Sequence, residues 1–182
     1  IDENNVDHYP LMNPWSSPDI AVLNVTCLKD IVGKGFTLPI NVTVTNQGNK
    51  IEGFNITAYV NTTLIKTQYV TLTCGTSVIT SFTWNTLGFA KGNYIIRASV
   101  DAVPGEIDTT DNTSVDGWVL VTIPGDVNGD RRVDAKDIAL IIKAFGSYLG
   151  HLRWNPNMDI NADNKVDGKD IALAIKNYGK SW

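Results

Sequence analysis

DVNGDRRVDAKDIALIIKAFGS, residues 126–147, and DINADNKVDGKDIALAIKNYGK, residues 159–180, are one segment written twice. They align without gaps at an offset of 33, with 13 of 22 positions identical, which marks a duplicated structural unit. Each copy opens with a twelve-residue run carrying oxygen-bearing side chains at alternate positions, then changes to a helical spacing. Ile138, Leu140 with Ile141, and Ala144 with Phe145 recur near three- and four-residue intervals, and Gly146 follows as a stop. Ile171, Leu173, Ala174, Tyr178 and Gly179 repeat that arrangement. No helix precedes either run, since IPG stands before the first and NPNM before the second. Each unit is therefore a loop with a single exiting helix.

The first run carries Asp126, Asn128, Asp130, Asp134 and Asp137; the second carries Asp159, Asn161, Asp163, Asp167 and Asp170. These are positions 1, 3, 5, 9 and 12 of an EF-hand calcium loop, and the backbone carbonyls of Arg132 and Lys165 take position 7. A hard cation that needs six to eight oxygens is served by a curled loop with a short oxygen side chain at every second residue. The plainer alternative is a solvated acidic turn beside a helix. Against it, all eight acidic residues after Ile123 fall inside these two loops, four in each, where they repel one another without a cation. Two calcium ions are therefore expected. Val133 and Val166, at position 8, are expected to pin the two loops together. Position 12 holds Asp rather than the usual longer Glu. Position 6, which needs a positive φ, holds Arg131 or Asn164, so strain is expected in the first loop.

Outward from the repeats the chain changes character. Residues 1–123 hold 11 acidic and 6 basic side chains, while residues 124–182 hold 8 and 9. Asp19 to Ile123 reads as strand after strand. Phe36, Leu38, Ile40, Val42 and Val44 alternate with polar residues or Pro39; Val78, Thr80, Phe82, Trp84 and Tyr94, Ile96, Ala98, Val100 do the same. Further strands are expected at 20–28, 53–60, 63–72 and 115–123, with turns at 32–35, 46–49, 74–77 and 104–106. About seven short strands of this kind predict an all-β, immunoglobulin-like antiparallel sandwich at 19–123, followed by a small all-α calcium-binding unit at 124–182. Pro39 predicts an edge strand or a bulge at its position. Residues 1–18, with Pro10, Pro14 and Pro18, read as a linker or the tail of an upstream domain.

The formal charge of −4 is too small for a nucleic-acid surface, and no apolar run approaches the roughly 18 residues of a membrane span. The opening IDENNVDHYP is no signal peptide, and a mature or excised fragment would begin this way. Cys27 and Cys74 permit one disulfide or two free thiols. Sequons at Asn24, Asn41, Asn55, Asn61 and Asn112 favour an extracellular protein. The acidic turn of Glu106, Asp108 and Asp111 is read as solvated, with ion binding as the alternative. His8, His151, Trp154 and Trp182 are read as surface or packing residues, and Trp182 is expected against Ile123 and Pro124. No nucleophile–base motif, zinc helix or phosphate loop is present, so no enzyme activity is expected.

Pro18-Asp19-Ile20, VTVTNQG at 42–48, SFTW at 81–84, GNYIIRASVD at 92–101 and the turn ending Asp111-Asn112 together resemble a CARDB domain, a β-sandwich module of microbial surface proteins. The stretch DENNVDHYPLMNPW resembles the closing segment of archaeal surface proteins built on a right-handed β-helix. Residues 124–181 resemble a type I dockerin, which implies a fold around two calcium ions and binding to a cohesin-like module in an extracellular assembly. The resemblance places partner recognition on Ala135, Lys136, Ile142 and Lys143 of the first repeat and on Gly168, Lys169, Ile175 and Lys176 of the second. It also implies two pseudo-equivalent binding faces. Many dockerins carry a hydroxyl pair where this chain has Ala-Lys and Gly-Lys, so a clostridial scaffold is not the expected partner. Two bound calcium ions would take the unit from +1 to +5, which favours an acidic partner surface. Helix solvation is the plainer reading of these lysines. The remaining alternatives are a calcium-stabilised structural module packed on its own sandwich and a carbohydrate-binding or adhesive surface domain.

Overall fold

The computed structural model describes residues 17–182. Most of the expected leading linker, His8 and the β-helix-like stretch lie outside the described residues. Eight strands come first: β1 Ile20–Cys27, β2 Ile31–Gly33, β3 Thr37–Asn46, β4 Glu52–Val60, β5 Thr63–Leu72, β6 Ser77–Asn85, β7 Gly92–Val100 and β8 Thr113–Thr122. Two ten-residue helices follow, α1 Ala135–Ala144 and α2 Gly168–Asn177. None of the helices among these residues is long and apolar enough to cross a membrane.

The strands form two sheets, ordered β1-β3-β6 and β2-β8-β7-β4-β5. Period-two alternation decides which side chains meet between them. Leu38, Ile40, Val42 and Val44 of β3 are fully buried, as are Phe82 and Trp84 of β6 and Ile96 and Ala98 of β7. Their intervening neighbours face outward and are mostly polar. Trp84, Phe89 and Tyr94 meet edge to face, with ring centroids 5.2–5.6 Å apart, and close one end of this core.

Two details depart from the sequence reading. The segment 32–35 is not only a turn: Ile31–Gly33 forms β2 and pairs in parallel with Leu120–Thr122 of β8. Three residues are too few for an alternation signal, and their pairing lies almost ninety residues away. Pro39, expected at an edge or bulge, lies on β3, the central strand of its sheet. The pairing of β3 with β1 ends at Cys27–Ile40, however, so at Pro39 only β6 remains alongside and β3 is locally an edge.

β2 also explains how the two halves meet. A Cβ on Gly33 would stand 2.7 Å from the Cα of Pro124, so only glycine lets the connecting segment cross β2 this closely. A Cβ on Gly129, in the first loop, would stand 3.2 Å from Ile31 and 3.3 Å from Leu120. The C-terminal unit therefore lies directly on the β2–β8 edge of the sandwich.

Candidate metal centre

Each loop is held by its own aspartates. Asp126 accepts the Gly129 N–H (2.8 Å) and the Arg131 N–H (3.0 Å); Asp159 accepts from Asp163 (3.1 Å) and Asn164 (2.9 Å). Asp134 and Asp167 are the N-caps of α1 and α2, and Asp137 and Asp170 complete a capping box in each helix. Asp137 and Asp170 are fully buried, and Asp126 and Asp159 are 2% exposed. Position 12 thus has two tasks: its carboxylate would face the ion and also satisfies the helix start. The shorter Asp suits both, because Asp137 already reaches the Val127 N–H (2.9 Å) and the Asp134 N–H (2.9 Å).

Burial is the main force raising the carboxyls of Asp126, Asp159 and Asp170 above the ordinary range. Hydrogen bonds from nearby donors pull each back, and Lys29 does so for Asp159. Asp163 goes the other way, lowered chiefly by its bond from Lys169 (2.9 Å). Among the described residues no three Asp, Glu, His or Cys side chains converge into a closed cage. Each loop includes donors of other kinds, an Asn side chain and a backbone carbonyl, and its carboxylates face backbone N–H groups.

The donors nevertheless fit calcium. The set is oxygen throughout, as a hard cation requires. Oδ1 of Asp163 is buried without a hydrogen-bond partner, which leaves it open to a cation. The Arg132 and Lys165 carbonyls accept no bond from the segments paired beside them. Asp126, Asn128, Asp130, Arg132, Asp134 and Asp137 would hold one ion; Asp159, Asn161, Asp163, Lys165, Asp167 and Asp170 would hold the other. The ion would supply positive charge that offsets carboxylate repulsion and ties each loop to its helix.

Val133 and Val166 are both fully buried in the one apolar cluster of this unit, and their backbones add a second tie. The Val133 N–H donates to Lys180 O (3.0 Å) and its carbonyl accepts from Gly179 (2.8 Å), while Val166 does the same with Ser147 (2.9 Å) and Gly146 (2.9 Å). Each loop is sewn to the chain leaving the other repeat's helix. The partners keep the offset of 33, so the pseudo-two-fold symmetry expected from the sequence extends to these bonds. Strain is shared as well. Arg131 (φ 72) is left-handed in the first loop, but the second carries Ala162 (φ 61) besides Asn164 (φ 65), so the first loop is not singled out.

All eight partner-recognition candidates are exposed: Ala135, Lys136, Ile142 and Lys143 on one repeat, and Gly168, Lys169, Ile175 and Lys176 on the other. Ile142 and Ile175 stand 56% and 59% open, a sizeable apolar exposure at matched places. Lys169 is bonded to Asp163 and is less free than Lys136.

The sandwich reaches the loops through particular side chains that no local spacing marks out. Thr122 donates its hydroxyl to Asp126 Oδ2, Lys29 Nζ donates to Asp159 O (2.5 Å), and Asn157 Oδ1 accepts the Ile31 N–H (3.3 Å). Trp182 closes the unit one residue earlier than expected, its Nε1–H donating to Thr122 Oγ1 (3.0 Å). Arg131 and Lys91 lie over its ring, 5.1 and 5.4 Å from the centroid. Trp154 packs against the core of the unit. Cys27 and Cys74 are both free, and burial pushes the Cys27 thiol well up. In the acidic turn, Glu106 accepts from Ile20 (2.9 Å) and Val103 (2.8 Å), and so serves as a staple.

A family model of the dockerin type I domain matches residues 124–178, and a CARDB model matches residues 17–115. Among solved structures, a CARDB domain from Pyrococcus furiosus in complex with di-metal ions is similar over 61% of this chain and 99% of its own. It shares 26% identity at a TM-score of 0.52. A domain of a Methanosarcina acetivorans protein covers 58% of this chain and 92% of its own, with 27% identity and a TM-score of 0.47. A comparison with curated proteins returned no match.

Proposed function

This chain belongs to the CARDB family across residues 17–115 and carries a dockerin type I segment at 124–178, and from that premise we propose that it is a non-catalytic, calcium-dependent docking protein. Dockerins bind calcium in general, and here two ions fill the two loops. The partner is a cohesin-like module with an acidic face, and the assembly is extracellular. The observation that carries this reading is the pair of matched, exposed faces centred on Ile142–Lys143 and Ile175–Lys176, each on a helix whose start is built from loop ligands. Loading of the loops and presentation of the faces are then one event.

A second reading, a structural module seated on its own sandwich, is favoured by the Thr122–Asp126 and Lys29–Asp159 bonds. The two readings are compatible, because the sandwich touches the loops while the eight recognition residues remain exposed. The CARDB sandwich then serves as a rigid platform for the docking unit.

The discriminating experiment replaces Lys143 and Lys176 together with Glu. Docking predicts weaker calcium-dependent pull-down of a cohesin-bearing scaffold by about ten-fold or more, with an unchanged melting temperature. Undiminished capture by the doubly substituted chain would refute the assigned faces.

A further inference from the structure

The two loops are near copies in sequence and in their hydrogen bonding, yet the sandwich treats them differently. Thr122, the last residue of β8, gives its hydroxyl to Asp126, the first-position residue of the first loop; Thr122 is fully buried. The residue 33 places on is Asn155, which instead caps the short turn Pro156–Met158. The second loop's first-position residue, Asp159, receives the ammonium of Lys29 on its carbonyl, and Lys29 is only 5% exposed. Among the described residues Lys29 has no counterpart at the first loop.

Other differences nearly cancel. Each loop holds one residue ill suited to its left-handed position, Arg131 or Ala162. Each has exposed cations beside it, Arg131 and Arg132 or Lys165 and Lys169, which solvent and salt screen. Besides the exposed Lys169–Asp163 bond of the second loop, what remains is a neutral hydroxyl donor at one loop and a buried lysine at the other.

We propose that the sandwich makes the two calcium sites unequal: Thr122 orients Asp126 and strengthens the first, while Lys29 opposes a divalent ion in the second, so calcium fills the first loop first. This rests on reading the loops as calcium sites. A donor to a ligating carboxylate fixes its orientation and typically tunes metal affinity strongly. A buried unit charge beside a divalent ion repels it across a medium far less screening than water. The Lys29 Nζ already lies against the Asp159 carbonyl, so an ion entering the second loop would meet it there. The face of Ala135, Lys136, Ile142 and Lys143 is therefore complete at calcium levels where the face of Gly168, Lys169, Ile175 and Lys176 is not. The choice between the two faces becomes calcium-dependent.

The test is a calcium titration of the full chain followed by amide resonances, Gly129 and Arg131 reporting the first loop and Ala162 and Asn164 the second. In the parent chain the first loop should saturate at roughly ten-fold lower calcium. Thr122→Val should raise the first loop's midpoint about ten-fold and leave the second alone. Lys29→Met should lower the second loop's midpoint by about ten-fold, and Lys29→Arg, which keeps the charge, should leave it high. Equal midpoints in the parent chain, or a second loop weakened by Lys29→Met, overturn the proposal. No calcium-dependent shift in either loop would refute the calcium reading itself.

Discussion

The sandwich closes over twenty-one buried apolar residues, Trp84 and Phe82 among them, whereas the loop–helix unit closes over nine, and one of those, Ile123, belongs to the connection. In place of the missing apolar area the smaller unit buries four carboxylates, Asp126, Asp137, Asp159 and Asp170. Burying apolar surface is favourable without help, and burying like charge is not. One chain thus holds a region that closes over apolar side chains and a region that closes over carboxylates, the residues proposed to hold calcium. The difference explains why the smaller unit leans on the larger one at Lys29, Ile31 and Thr122.

The harshest challenge to this contrast is removal of calcium. Chelation should abolish most helical circular-dichroism signal, because α1 and α2 start on loop ligands, while the strand signal and the sandwich melt persist. Helices that survive a chelator would break the comparison. The mirror experiment is Trp84→Ala, which empties the sandwich core of its largest buried ring. It should destabilise the sandwich transition by about 3–5 kcal/mol and leave the calcium midpoints in place. A shift in those midpoints would mean that the two regions fold as a single unit.

Acid should separate the regions in a subtler way. The raised carboxyls of Asp126, Asp159 and Asp170 bind protons more readily folded than unfolded. In chelated protein their support for the folded form is full below the ordinary value of 3.8 and is lost as pH rises through their higher folded values. The metal-free unit should therefore keep more helical circular-dichroism signal near pH 4 than at about pH 7. Calcium-loaded protein should show the reverse, since protons displace the ion. Helical signal at both values, with and without chelator, checks the sign. The smallest effect concerns thiols. Alkylation at about pH 8 should label exposed Cys74 much faster than Cys27, whose thiol is pushed up by burial first and by Asp116 second. Equal rates, read by mass spectrometry, would show that this edge of the sandwich opens.

The sequence reading reached furthest where local spacing carries the physics. The offset of 33, the alternate oxygen positions and the periodicity of Ile138, Ile141 and Ala144 each follow from the geometry of one loop or one helix, and the alternation in β3, β6 and β7 follows from the pleat. The fold class was legible for that reason, and so was the repeated loop with its exiting helix. The misses came where a residue's meaning depends on something distant. β2 is too short to announce itself, and it exists because β8 lies beside it. Pro39 is tolerated on a central strand because β1 stops at Cys27. Position 8 of each loop pairs with the far end of the other repeat, which no pattern within one repeat can reveal.

By itself, then, the sequence determined two regions of different composition, a duplicated oxygen-rich loop, and two helices with matched faces, because periodicity and ligand spacing are properties of neighbouring residues. Tertiary structure alone decided that Thr122 and Lys29 meet the two first-position aspartates. It also decided that Trp182 locks onto Thr122 and that Arg131 and Ala162 share the strain. The Lys29 and Trp182 contacts join segments 130 and 60 residues apart, and only the packing of the unit on the β2–β8 edge brings them within bonding distance.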